Sequence, residues 1–204
     1  MTTALEELAR TASTCTRCRL SAGRTQVVFA DGSPDADLMF IGEGPGYHED
    51  VQGLPFVGAA GQLLNRLLGE IGLSREEVRI TNTVLCRPPG NRDPLPDELE
   101  ACRPYLEEHV ALVDPKVVCT LGNFATRVIL DRPVAISRVR GQRFPWQGRM
   151  VIPTFHPAAI LRGGGDASRA MQQIREDFAA IRQALDQARA AGDVPVLEEQ
   201  LGLF

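Results

Sequence analysis

Four short runs of the chain, Asp37 to Ile41, Val78 to Val84, Lys116 to Leu121 and Met150 to Phe155, are nearly continuous in apolar character. Runs of this length predict strands buried on both faces. Between them the apolar spacing changes to three and four. Leu63, Leu64, Leu67, Leu68 and Ile71 share one helical face, and Leu99, Cys102, Leu106, Val110 and Val113 share another. Strand and helix alternate, so the pattern predicts an α/β fold with a mainly parallel sheet. Pro104 falls inside the second helical pattern, where it predicts a break or kink. A last helical pattern covers roughly Arg169 to Ala190 and stops at Ala191-Gly192-Asp193, ahead of Pro195. Residues 1–190 therefore read as one domain and 191–204 as a flexible tail.

In an open parallel sheet, ligands bind beyond the carboxyl ends of the strands. The predicted ends carry Gly42-Glu43-Gly44, Asn82, Gly122-Asn123 and His156-Pro157. Turn residues and ligand-capable side chains thus collect at one edge. The first of these continues as Gly42-Glu43-Gly44-Pro45-Gly46-Tyr47-His48-Glu49-Asp50. Glycine lets a ligand approach the backbone, proline fixes the turn, and the acids are presented on it. The Gly-x-Gly-x-x-Gly spacing of a dinucleotide site is absent.

The chain of 204 residues is 44% apolar, enough for one sizeable core. Its first residues mix Glu6, Glu7 and Arg10 into a short apolar pattern, which is not that of a secretory segment, and no run has the ~20 apolar residues of a membrane span. A soluble, intracellular, monomeric protein is expected. The net charge of −4 argues weakly against nucleic acid, but charge is uneven. Between Arg132 and Arg175 eight arginines face one acid, Asp166, giving +7 there and −11 elsewhere. Arginine suits phosphate contacts. Lys116 is the only lysine.

Cys15 and Cys18 have a pair spacing suited to a metal or cluster, and Cys86 and Cys102 add two thiols fifteen residues apart. Cys119, inside a predicted strand, reads as a core residue. Disulfides fit a reducing compartment poorly. An iron-sulfur cluster, a zinc ion and unrelated free thiols all remain open on spacing alone.

Taken together, Gly42-Glu43-Gly44-Pro45-Gly46 with Glu49-Asp50, Pro55-Phe56-Val57-Gly58, Thr81-Asn82 with Cys86-Arg87-Pro88-Pro89, and His156-Pro157 resemble the family 4 uracil-DNA glycosylases. The resemblance spans about residues 10 to 185. It implies a three-layer αβα fold around a central four-stranded, mainly parallel sheet, and makes Cys15, Cys18, Cys86 and Cys102 the ligands of a [4Fe-4S] cluster. It also implies a monofunctional enzyme, without lyase activity, that extrudes deoxyuridine from single- or double-stranded DNA and hydrolyses its N-glycosidic bond. Extrusion is required because the reacting atoms are out of reach within the stack. The resemblance assigns Glu43 to the sugar and attacking water, and His156 to the departing uracil anion. Gly44 gives the base room, Phe56 stacks on it and Asn82 reads it. Glu49 blocks the thymine methyl, with Asp50 able to share or replace it. Leu161 and Arg162 become the wedge of a minor-groove loop. Ala158 departs from the serine common after His-Pro. His48, within the first motif, and His109, placed on a helical surface, are not chosen for catalysis.

A cytoplasmic, nucleoid-associated location follows from the same resemblance. The end of the chain, Gln200-Leu201-Gly202-Leu203-Phe204, is similar to peptides that bind the replication sliding clamp. Gln200 would set register, while Leu201, Leu203 and Phe204 would fill an apolar pocket. The rival readings are a non-turnover uracil-DNA-binding protein and a clamp-tethered DNA-binding protein of the same fold. The first usually carries a basic, histidine-containing insertion, and Arg87 to Pro94 contains no histidine. The second would be marked by loss of Glu43, Asn82 or His156, and all three are present.

Overall fold

The computed structural model describes residues 3–191. Its strands are β1 (Asp31–Gly32), β2 (Leu38–Gly42), β3 (Arg79–Asn82), β4 (Val117–Leu121), β5 (Phe144–Trp146) and β6 (Arg149–Thr154). They form one sheet in the order β1-β3-β2-β4-β6-β5. The inner four are parallel and are the four strands expected from the apolar runs. Two edge strands, both antiparallel to their neighbours, make the sheet six-stranded instead of four-stranded. They are two and three residues long, too short to carry a period. Pro145 is tolerated in β5 because an edge strand leaves one side of its ladder unused.

The helices are α1 (Ala4–Ser13), α2 (Tyr47–Gln52), α3 (Ala59–Glu70), α4 (Pro96–Val113), α5 (Gly122–Leu130), α6 (Ile136–Val139), α7 (Pro157–Arg162) and α8 (Arg169–Ala191). Alternation along the strands divides the core between two faces. Leu38, Phe40, Ile80, Cys119 and Ile152 pack with Leu64 and Leu67 of α3, Ile160 of α7 and Phe178 of α8. Met39, Ile41, Val118 and Val151 pack with Leu106 and Val110 of α4 and Ile129 of α5. Three layers result, and Cys119 is a core residue as expected.

Two expectations are corrected here. Of the break or kink expected at Pro104, the break is absent, because helix α4 is continuous through it. The carbonyl that Pro104 cannot bond belongs to Glu100, and both residues are exposed, so water can serve it. His109 is buried instead of lying on a helical surface. Its ring stacks on Phe29 at 4.7 Å, and its Nε2 accepts from Arg79 Nε at 2.9 Å. Burial, with Arg79 beside it, pushes its pKa down to about 3. Helical spacing alone did not register that Arg79 and Phe29 cover this side of α4.

Candidate active site

The parallel strands run β3-β2-β4-β6, so the chain steps one way from β2 and then returns across it. A crevice opens at such a reversal, beyond the carboxyl ends of the strands. The last register pair of β2 with β3 is Gly42 with Asn82. Asn82 is only 1% exposed, and its Oδ1 has no hydrogen-bond partner among the described residues. An unmet buried acceptor costs about 1–3 kcal/mol, which a ligand donor can recover. A Cβ on Gly42 would lie 2.4 Å from that oxygen and 2.7 Å from the Phe56 ring. Only a residue without a side chain lets the amide and the ring both come this close to the strand end.

Phe56 occupies the left-handed region, with φ at 53°. Such a conformation is costly for a bulky residue and persists only when its surroundings enforce it. Arg75 donates to the carbonyls of Pro55 and Phe56 (3.2 Å to the latter) and to Asn65 Oδ1 at 3.2 Å, while pairing with Asp31 Oδ2 at 2.5 Å. Gly61 on α3 permits the close approach, because a Cβ there would sit 1.7 Å from the Phe56 oxygen. From the other side, Glu49 Oε1 accepts from Val57 N at 2.9 Å and Gly58 N at 3.0 Å, and Oε2 accepts from Gly46 N at 3.2 Å. One carboxylate therefore ties the Gly46 turn to the Phe56 loop. Asp50 does not share this place. It is buried and accepts from Thr25 N at 2.9 Å and Thr25 Oγ1 at 2.7 Å.

His156 follows β6 and caps α7, its Nδ1 accepting from Ala158 N at 3.1 Å. Its ring stacks against Phe56 with centroids 5.6 Å apart. Burial first, then Arg162, pushes its pKa down to about 4, against the opposing pull of Glu49. The ring is therefore neutral at pH 7, and the bond to Nδ1 assigns its proton to Nε2. Glu43 follows β2 and is half-buried. Burial first, then the neighbouring Asp93 carboxyl, pushes its pKa up to about 7, opposed by Arg162. Backbone bonds from Val84 N to Glu43 O (3.3 Å) and Thr83 N to Gly42 O (2.9 Å) hold this strand end against the next. A Cβ on Gly44 would meet Val84 Cγ2 at 2.9 Å.

Leu161 and Arg162 end α7 at the rim, both exposed, with Leu161 at 40%. The arginine-rich segment around them is less free than its count implied. Arg140 pairs with Asp177, Arg149 with Asp114 and Arg175 with Glu70. Arg162 forms no ion pair within 4 Å among the described residues. A separate cavity of about 190 Å³, with Arg103, Val128 and Trp146 in its wall, lies between α4, α5 and the β5–β6 turn. It contains neither Glu43, Asn82 nor His156.

Cys15, Cys18, Cys86 and Cys102 line one pocket with Leu85, Tyr105 and Arg24. Arg24 donates to Cys15 O at 2.6 Å and reaches Cys86 Sγ at 3.4 Å. Burial pushes the thiols of Cys86 and Cys102 up, the latter to about 12. Among the described residues no three His, Cys, Asp or Glu side chains are grouped to hold a single metal ion. The four cysteines nevertheless line the same pocket.

The family model of the uracil DNA glycosylase superfamily matches residues 29–179. The chain belongs to this superfamily. A type-4 uracil-DNA glycosylase of Sulfurisphaera tokodaii is 42% identical over 188 residues, covering 88% of this chain and 84% of the relative. One from Thermotoga maritima is 46% identical over 157 residues, covering 76% and 82%. A type-5 enzyme of Thermus thermophilus is more distant, at 31% over 69% of this chain and 73% of its own.

The superfamily resemblance read from motifs is thereby borne out, and the structure gathers Glu43, Gly44, Glu49, Phe56, Asn82 and His156 around one crevice. Sequence reasoning missed Gly42, Arg75, Asp93 and Gly122 as site residues. Gly42 and Gly122 were visible as strand-end glycines. A Cβ on Gly122, which has φ at 89°, would lie 2.9 Å from His156 Cβ. Arg75 and Asp93 gave no signal, since only folding brings them to Phe56 and Glu43. The Glu49 geometry carries a consequence for stability. Glu49→Ala leaves three backbone amides without their acceptor, and a loss of about 1–3 kcal/mol is expected in urea unfolding. An unchanged midpoint would show that the carboxylate does not brace the two turns.

Proposed function

We propose that this protein excises uracil from DNA, hydrolysing the N-glycosidic bond of an extruded deoxyuridine to leave an abasic site. The observation that carries the reading is the orphaned Asn82 Oδ1, buried at the strand end close to the Phe56 ring. Uracil satisfies such an acceptor by its own chemistry. Its N3–H donates to Oδ1 and its O4 accepts from Nδ2, whereas cytosine offers the opposite pattern at both atoms. Phe56 supplies the stacking face, held at one backbone angle by Arg75 and Glu49. The pinned Glu49 side chain acts as a rigid barrier beside C5, against a methyl group.

Bond cleavage places positive charge on the sugar and negative charge on the leaving base. Neutral His156 donates from Nε2 to uracil O2 as the anion forms, and its depressed pKa keeps it from arriving already charged. Glu43 in its ionised form stabilises the sugar cation and orients the attacking water. Leu161 enters the vacated stack, and Arg162 contacts the backbone. A lyase step would need an amine nucleophile. The sole lysine, Lys116, precedes β4 at the opposite edge of the sheet and pairs with Asp37 at 2.6 Å, which favours a monofunctional enzyme.

Cys15, Cys18, Cys86 and Cys102 suit a [4Fe-4S] cluster, which takes four thiolates, because all four line one pocket. Held by these four residues, a cluster would cross-link the N-terminal segment to the loop and helix that follow β3. The C-terminal peptide Gln200, Leu201, Leu203 and Phe204 lies outside the described residues. Its sequence supports a tether to the sliding clamp, which raises local concentration on DNA.

The test of the function is incubation with uracil-containing single- and double-stranded DNA, followed by alkaline cleavage and a denaturing gel. Multiple turnovers are expected, while a stable adduct or no product overturns the reading. Because Glu43 works ionised and titrates at about 7, excision should decline as pH falls through 7. Asp93→Asn removes a neighbouring negative charge, so the Glu43 pKa drops and the acidic limb moves to lower pH. A limb that stays in place sinks this pairing. Purified protein should contain about four irons with matching sulfide, and zinc in their place would refute the cluster. Clamp titrated with full-length protein should bind, and with a chain ending at Glu199 should not; equal binding rejects the tether.

A further inference from the structure

Tyr47 opens α2, three residues beyond Gly44, and is 57% exposed, which is unusual for a large aromatic beside a catalytic turn. Its ring is held in place all the same. The Arg87 guanidinium lies over it at 5.2 Å, and His48 meets it edge-on at 5.5 Å. Arg87 belongs to the loop that follows Cys86. Its Nε donates to Asn91 Oδ1 at 2.7 Å, and no carboxylate pairs with it within 4 Å among the described residues. Its charge is therefore not neutralised by an ion pair. The next residue, Pro88, has its Cδ 3.8 Å from where a Gly44 Cβ would be, so the pair adjoins the catalytic turn. Val51 and Leu54 continue the exposed apolar surface from Tyr47, at 46% and 42%.

An exposed aromatic face joined to an unpaired guanidinium is the chemistry of single-stranded nucleic-acid contact. Every base has a π-face to stack, and the cation meets a phosphate. We propose that Tyr47 and Arg87 form a second contact on the substrate strand, Tyr47 stacking on an unpaired base that flanks the extruded uridine and Arg87 meeting the adjoining phosphate. The inference rests on the uracil-excision reading and adds to it a route for the strand, from the Leu161–Arg162 rim across Glu43 to the α2 rim. In a duplex the flanking base is paired and stacked within the helix, so the platform acts on single strands.

The test measures binding of the full chain to oligonucleotides carrying a non-hydrolysable 2′-fluoro-deoxyuridine, alongside excision of ordinary deoxyuridine by the same preparation. Tyr47→Ala should weaken single-strand binding about 5- to 100-fold and leave duplex binding within about twofold, while Tyr47→Phe retains binding. Replacing one of the two flanking bases by an abasic analogue should cost the wild-type protein a similar factor and the Tyr47→Ala variant nothing. Arg87→Gln should reduce the slope of log affinity against log salt by about 0.7 on single strands. If Tyr47→Ala binds single strands as the wild type does, or if the abasic replacement costs both proteins equally, the platform is overturned. A wild-type protein that binds through Tyr47 yet excises nothing would support the strand contact and remove the glycosylase reading.

Discussion

Gly42 and Asn82 are the last paired positions of β2 and β3, and the candidate site depends on that pairing. A slip by a single residue would send every side chain of a strand to the other face of the sheet, where it would meet different helices, so the packing specifies this register. Met39 opposite Arg79 and Phe40 opposite Ile80 leave Asn82 beside a residue with no side chain. An amide with an unmet acceptor, an aromatic ring and an acid-bearing turn are thereby brought together at one strand end.

The surrounding groups hold what the sheet delivers. Thr154 Oγ1 donates to the buried Asp177 of α8 at 2.6 Å, and Arg140 Nε reaches the same carboxylate at 3.0 Å. Burial pushes the Asp177 pKa up, while Thr154 and Arg140 draw it down. Arg140 also lies over Phe155 at 5.6 Å. The end of β6 is therefore tied to α8 just before His156. Phe56 is enforced in the same manner by Arg75 and Glu49 from opposite sides. Supports of this kind fix where the His156 ring and the Phe56 ring stand relative to the strand ends.

The four-thiol pocket is joined to this site through the chain itself. Arg24 holds Cys15 and Cys86, and Thr25, the next residue, bonds Asp50 on α2. The loop after Cys86 carries Arg87 to Tyr47 and Asp93 to Glu43. A bound cluster would thus brace a loop that supplies charge to two parts of the crevice.

The alternating strands and helices, the polar residues at strand ends and the four cysteines were legible in the sequence, because each leaves a local mark: an apolar run, a helical period, a glycine-proline turn or a thiol spacing. Glu43, Asn82 and His156 stood out as candidates for the same reason. The edge strands, the buried place of His109 and the continuity of α4 through Pro104 were not, since each follows from what packs or fails to pack against it. Only tertiary structure parted the adjacent acids Glu49 and Asp50, sending one to three backbone amides and the other to Thr25. It alone brought Asp93 to Glu43, fifty residues apart in the chain. Desolvation and charge repulsion act through space, so the acidity of the central carboxylate was decided by the fold and not by the motif that contains it.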